Sequence, residues 1–208
     1  VKKYASLFFL VLFSLFLVSA CTFPFQKAKL EPFEKGMLVG ANYFNDQAKL
    51  KFSIPIGWDA KLAEDAQEQL SDTVKKAGVD TDDYSPSTMD FMCNNPNTGS
   101  NMSISYEPMK NGKDFDENVD DLIDEGMKVG KSIGIDYSKN DSFNETIAGH
   151  DCRVEVLDMT YSGVDMVEYA CFFEVDSYMC MIIVVPSNFI DHDETFEAII
   201  GNFSEIEE

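Results

Sequence analysis

HDCRVEVLDMTYSGVDMVEYACFFEVDSYMCMIIVVP, residues 150–186, reads as three consecutive β-strands joined by two tight turns. His150 to Tyr161 and Val164 to Val175 are rich in branched and aromatic residues. Ser162-Gly163 and Asp176-Ser177 supply the turn chemistry, and Pro186 stops the third strand. Met179 to Val185 is apolar at every position, which predicts a central strand covered on both faces. With two-residue turns, Cys152, Cys171 and Cys180 share one face by the period of two, and Cys171 and Cys180 lie diagonally. Moving the second turn to Val175-Asp176 would set those two thiols face to face, and a three-residue loop would put them on opposite faces. A Cys171 to Cys180 disulfide, another pairing that includes Cys93 or Cys152, and reduced core thiols all stay open.

Working outward from that block, Asp191 caps a closing helix with Glu194 at capping-box distance, and Phe196, Ile199, Ile200 and Phe203 form its apolar side. Upstream, Asp114 and Glu117 make a second capping box. Phe115, Val119, Leu122, Ile123, Met127 and Ile133 recur at helical spacing behind it, with an acidic outer face. Short strands are predicted at about 88–94 and 101–108 around the turn-rich Asn94 to Gly99. Tyr43 to Asp46 and Leu50 to Pro55 read as a hairpin. Residues 59–77, with Leu62, Ala66, Leu70 and Val74 in helical register before Gly78, read as an amphipathic helix.

The first 21 residues, VKKYASLFFLVLFSLFLVSAC, have a cationic start, an apolar run and small residues before a cysteine, the pattern of an export signal, with plain secretion and an uncleaved membrane helix over residues 4–20 as the alternatives to a lipidated cysteine. Val18-Ser19-Ala20-Cys21 resembles the lipobox of bacterial lipoproteins. That resemblance implies cleavage between Ala20 and Cys21 and diacylglycerol on the Cys21 sulfur, which sets the chain on the extracytoplasmic face of a bacterial cell membrane. Residues 1–20 are then the signal peptide and 21–38 the lipidated cysteine and a flexible tether with two prolines. Residues 39–208 form a single domain. Of 16 basic side chains only Lys2 and Lys3 precede Cys21, so 14 oppose 37 carboxylates in the mature chain, a net charge of −23. Such a surface repels nucleic acid and anionic headgroups.

The order of elements, the corner SIPIGW at Ser53 to Trp58, the segment IAGHDCRVEVLDM at Ile147 to Met159 and the ending FEAIIGNF at Phe196 to Phe203 resemble the PsbP-like superfamily. Extrinsic photosystem proteins, a Ran-binding import factor and many bacterial lipoproteins belong to it. The likeness covers about residues 40–205. It implies an α+β fold, an antiparallel sheet of about six to eight strands sandwiched by helices (α/β/α), used as a docking surface for a protein partner and without catalysis or cofactor.

Candidate chemistry in the residues themselves is sparse. No nucleophile elbow, zinc-protease helix or phosphate loop occurs. His150 heads a strand and His192 opens a helix, so both read as structural or surface residues rather than bases. Asp80, Asp82 and Asp83 could offer oxygens to calcium, yet the run lacks the sixth-position glycine and twelfth-position glutamate of a calcium loop and reads as a solvated connection. Trp58 reads as a plug at the core edge, and Met159, Met166, Met179 and Met181 as core. The expected protein is a non-catalytic binding or scaffold module, with a small-ligand or cation carrier as the alternative. An enzyme without a recognisable motif is the third reading.

Overall fold

The computed structural model describes residues 32–62, 89–132, 134–187 and 191–206. Among these, a small sheet is built from β1 (Met37–Val39), β2 (Asn42–Asn45), β3 (Leu50–Ser53) and β11 (Phe203–Glu205). A large one is built from β4 (Asp59–Leu62), β5 (Met89–Asn94), β6 (Asn101–Pro108), β7 (Ile135–Ile147), β8 (His150–Tyr161), β9 (Val164–Val175) and β10 (Tyr178–Val185). Two helices, α1 (Phe115–Ser132) and α2 (His192–Ile200), complete it.

The large sheet is antiparallel in the order β4-β5-β6-β10-β9-β8-β7, so β10 is the middle strand, as its unbroken apolar run predicts. Every residue of β10 is buried. Cys180, Ile182 and Val184 face one core, and Met179, Met181, Ile183 and Val185 face the other. Both predicted two-residue turns are present, since Tyr161 pairs with Val164 and Val175 with Tyr178. Ser162 and Gly163 both have positive φ, 51° and 78°, the geometry that matches the twist of the flanking strands.

The face bearing Met179 and Met181 is covered by α1, whose Val119, Leu122 and Ile123 are buried, each worth about 2 kcal/mol of transfer from water. The capping box forms as read. Glu117 N–H donates to Asp114 Oδ1 at 2.9 Å, and Asp114 N–H to Glu117 Oε2 at 3.0 Å. Asp191 likewise accepts from Glu194 N–H.

The opposite face departs from the expected helix sandwich. It is covered by the small sheet, through Tyr43, Leu50, Phe52 and Phe203, together with Phe196, Ile199 and Ile200 of α2, so the fold is mostly β. Residues 59–62 also differ from the predicted helix. They pair as β4 with Phe91 to Asn94, and cross-strand pairing overrides their local helical period. Residues 63–77, Gly78 and Ile133 lie outside the described residues. Phe203 leaves the last helix, which ends at Gly201, and becomes a strand against Phe52. β7 is largely exposed and polar, so its sequence carries little strand signal. It forms the sheet edge, blunted by a bulge between Lys139 and Asp141 and by the Asp141 and Glu145 carboxylates, which accept from the N–H groups of Ser142 and Thr146.

The expected tether boundary at residue 38 moves back. Phe33 stacks on Tyr106 with ring centroids 4.0 Å apart and meets Tyr178 edge-on, and Met37–Val39 pair with β2. Gly36 donates its N–H to both oxygens of Asp90, at 2.9 and 3.1 Å. A Cβ at Gly36 would lie 2.3 Å from the Tyr43 ring, so only glycine brings this backbone close enough. Asp90 sits at a bulge in β5, where the register skips between Met89 and Phe91, and its carboxylate is turned toward the small sheet. There it accepts from Tyr43 Oη at 2.5 Å and Asn45 Nδ2 at 3.2 Å, while the Tyr43 and Tyr106 hydroxyls are 3.1 Å apart. Burial first, then the Asp90 charge, pushes the Tyr43 hydroxyl far above its ordinary pKa, so it stays a donor.

Asp90→Ala removes the acceptor that Gly36, Tyr43 and Asn45 share and is expected to cost about 3 kcal/mol of unfolding free energy. Tyr43→Phe, which removes one donor, should cost about 1 kcal/mol. Urea midpoints measure both, and equal small losses in the two variants would show that the network is not what joins the sheets.

Candidate functional site

A groove of about 670 Å³ opens where α2 crosses the edge of the large sheet. Its floor is aromatic and apolar. Tyr169 of β9 stacks on Phe196 of α2 at 4.4 Å, Phe143 of β7 meets Phe196 edge-on at 6.3 Å, and Val156 and Val167 fill between the strands. Its rim is acidic, carrying Asp141 from β7 and Asp191, Asp193 and Glu197 from the α2 region. Tyr169 donates its hydroxyl to Asp193, and burial followed by that bond holds the phenol well above its ordinary pKa. His192 also lines the groove.

Ion pairing is unequal over the surface. Around α1, Lys110 pairs with Asp121 and Glu125 at 3.2 Å, Lys113 pairs with Asp121, and Lys139 reaches Asp124 at 3.6 Å. Arg153 reaches Asp116 at 3.2 Å, Asp120 at 2.6 Å and Glu155 at 2.7 Å. Partial burial works against the Arg153 charge, and these carboxylates outweigh it, so the guanidinium stays protonated. A second cavity of about 540 Å³ lies beside Arg153, whose charge is already satisfied by those partners. The four carboxylates of the α2 groove, in contrast, are paired with no lysine or arginine among the described residues.

The residues singled out from the sequence are not brought together into this site. Ala20, Cys21, Asp80, Asp82 and Asp83 lie outside the described residues. Cys171 and Cys180 are free thiols in the structure, and no bridge joins them. Cys171 pairs with Ile182 and Cys180 with Phe173, the diagonal placement that two-residue turns dictate. Cys93, Cys152, Cys171 and Cys180 all belong to the core between the sheets. Burial pushes the Cys152 thiol up to about 12 and holds the other three well above their ordinary range, so they stay protonated and unreactive. His150 is structural, with Nε2 2.8 Å from the Ala48 carbonyl and its ring stacked on Phe173 at 4.2 Å. Trp58 packs half-buried at the core edge, and the four methionines are core. No group of three or more His, Cys, Asp or Glu suited to a metal occurs among the described residues.

Sequence reading missed the groove because its parts are scattered. Phe143 is one aromatic in a polar run, and Asp191 and Phe196 were accounted for by capping and packing alone. Two buried acids did carry a signal. Asp90 interrupts Met89 to Cys93, and Glu168 falls at an inward position of β9, fully buried, with both oxygens lacking a partner.

This two-sheet architecture with α1 on one face and α2 on the other is the PsbP-like fold. The chain aligns with the solution structure of cyanobacterial PsbP (CyanoP) from Synechocystis at a TM-score of 0.53 and 11% identity, over 88% of this chain and 99% of that one. Two weaker likenesses are a Pseudomonas aeruginosa protein of unknown function described as a putative regulator (TM-score 0.37, 12% identity, 48% of this chain and 64% of that one) and a Bacteroides thetaiotaomicron protein (TM-score 0.45, 13% identity, 81% and 49%). No protein-family model and no curated protein matches the chain.

Burial pushes the Glu168 carboxyl up from 4.5 to about 8. The folded state therefore holds this proton more tightly than the unfolded chain. Its contribution is fully present below the unfolded value and is lost as pH rises toward the folded one. Denaturant midpoints should show the wild-type chain losing stability relative to Glu168→Gln between about pH 5 and pH 8. Identical pH slopes would mean that the folded carboxylate is already ionised.

Proposed function

We propose that this protein is a lipid-anchored, extracytoplasmic binding module without catalytic activity, which receives a cationic side chain of a protein partner in the α2 groove. The observation that supports it is an acidic rim, ion-paired with no lysine or arginine among the described residues, above an aromatic floor. A lysine or arginine entering there meets Asp193, Asp191, Glu197 and Asp141. Its stem or guanidinium plane lies against Phe143 and Phe196, where ring quadrupoles add about 0.5–2 kcal/mol. The groove walls lower the local dielectric, which makes each of these charge contacts stronger than on an open surface. The anchor is the lipid on Cys21, and two acyl chains hold a protein at a bilayer where one is marginal. A net charge of −23 in the mature chain keeps the domain off anionic headgroups and nucleic acids and speeds approach of a basic partner.

A small organic cation is the second reading, supported by the same aromatic floor. Calcium at Asp80, Asp82 and Asp83 would be a third, and a saturable calcium-dependent rise in melting temperature would separate it from both.

Crosslinking from a photoreactive residue at position 140, which also lines the groove, on intact cells should capture a defined membrane-proximal protein. Reversing charge with Glu197→Lys and Asp141→Lys should reduce that capture roughly tenfold, the equivalent of about 1.4 kcal/mol. Capture unaffected by both reversals would remove the groove from the reading. Intact-mass analysis is expected to show a diacylated chain starting at Cys21, and an unmodified protein in the medium would overturn the anchor.

A further inference from the structure

Among the described residues, the buried side-chain atoms with no hydrogen-bond partner in the protein are Asn101 Oδ1 and Nδ2, Ser103 Oγ, Ser105 Oγ and both Glu168 carboxylate oxygens. All lie on the same face of the large sheet. Ser103 sits between Met92 of β5 and Ile183 of β10, Ser105 between Met89 and Met181, and Asn101 beside Val185. Glu168 sits opposite Leu157. Met89, Met92, Leu157, Met181, Ile183 and Val185 all belong to the core under α1. The face toward the small sheet also holds buried polar groups, and there Asp90 and Asn45 are bonded.

The spacing of these atoms is that of a strip. Asn101, Ser103 and Ser105 alternate along β6 over about 13 Å. Continuing the pairing of Tyr169 with Val184 sets Glu168 beside Val185, so Glu168 and Asn101 flank one residue at about 10 Å, twice the strand spacing. All four residues are at most 1% exposed. Leaving such groups unanswered costs about 1–3 kcal/mol each, and a branched apolar residue at 103 or 105 would have avoided that cost. The β5 neighbours of the two serines, Met92 and Met89, and Met181 on β10 are methionines, side chains that re-pack around guests of different shape.

We propose that this strip is a second binding site, taking a small uncharged molecule with an apolar body and hydrogen-bonding groups along one edge. It is independent of the α2 groove, which opens on the other face. The ligand must be uncharged because, apart from Glu168, the buried polar groups of the strip are an amide and two hydroxyls, and an unpaired ion buried there would cost several kcal/mol. Glu168, kept protonated by its apolar surroundings, both donates and accepts. Asn101 offers two donors and an acceptor, and each serine offers one of each kind.

Benzamide, 4-hydroxybenzamide and phenylurea, titrated against the full chain carrying labelled methionine methyls, test the site. The expected result is saturable shifts at Met89, Met92 and Met181 with Met159 and Met166 unmoved, and a raised melting temperature. Ser103→Ala combined with Ser105→Ala should keep the fold and weaken binding roughly tenfold. Glu168→Gln, which still donates and accepts, should retain it. No saturable shift with any probe at millimolar concentration, or equal affinity in the serine double variant, would overturn the proposal. So would a double variant that loses stability together with long-lived bound-water signals, since trapped water would then be the sole occupant.

Discussion

A carboxylate buried between two sheets is the constraint on which the rest of this structure depends. Asp90 is 4% exposed, and three donors from the amino-terminal segment and β2 converge on it. A carboxylate in that position is tolerable only when donors surround it, and Gly36, Tyr43 and Asn45 supply them from the segment that carries the small sheet. The bulge in β5 aims the side chain across the interface. That single displaced residue fixes how the small sheet sits on the large one, and with it the shared core of Phe52, Phe91 and Phe203.

Once the small sheet is fixed, the two faces of the large sheet carry different chemistry. On one side, α2 is held by Phe196, Ile199 and Ile200 at the end of the chain that returns as β11, and its acidic first turn is left facing the β7 edge. On the other, α1 brings its carboxylates onto Arg153, Lys139, Lys113 and Lys110. These four cations are thus paired on the α1 side, while the groove carboxylates meet no lysine or arginine among the described residues. The exposed pairs around α1 contribute little stability individually, and their effect is on where charge remains.

The strongly periodic parts of the chain were readable before any coordinates. β8, β9 and β10, their two turns and both capping boxes follow from residue type and spacing, because these features are local and each is reinforced by burial. What was not readable is what depends on distant partners. β4 is a strand only because β5 lies beside it, Phe203 leaves its helix because Phe52 offers a pairing, and Phe33 belongs to the domain because two tyrosines receive it. The groove draws on β7, β8, β9 and α2, and no window of sequence contains its pattern. β7 escaped notice for a related reason, since an edge strand needs only one face of contacts and can be written in polar residues.

Phe33 and Gly36 join the body beside Tyr178 and Tyr106, while the groove lies at Val167 and Tyr169, about 26 Å back along β9 at the rise of an extended strand. Whatever grips the groove and whatever holds the amino end therefore pull at opposite ends of neighbouring strands in one sheet. Traction applied that way runs lengthwise through β8, β9 and β10, where the cross-strand bonds share the load instead of parting one at a time.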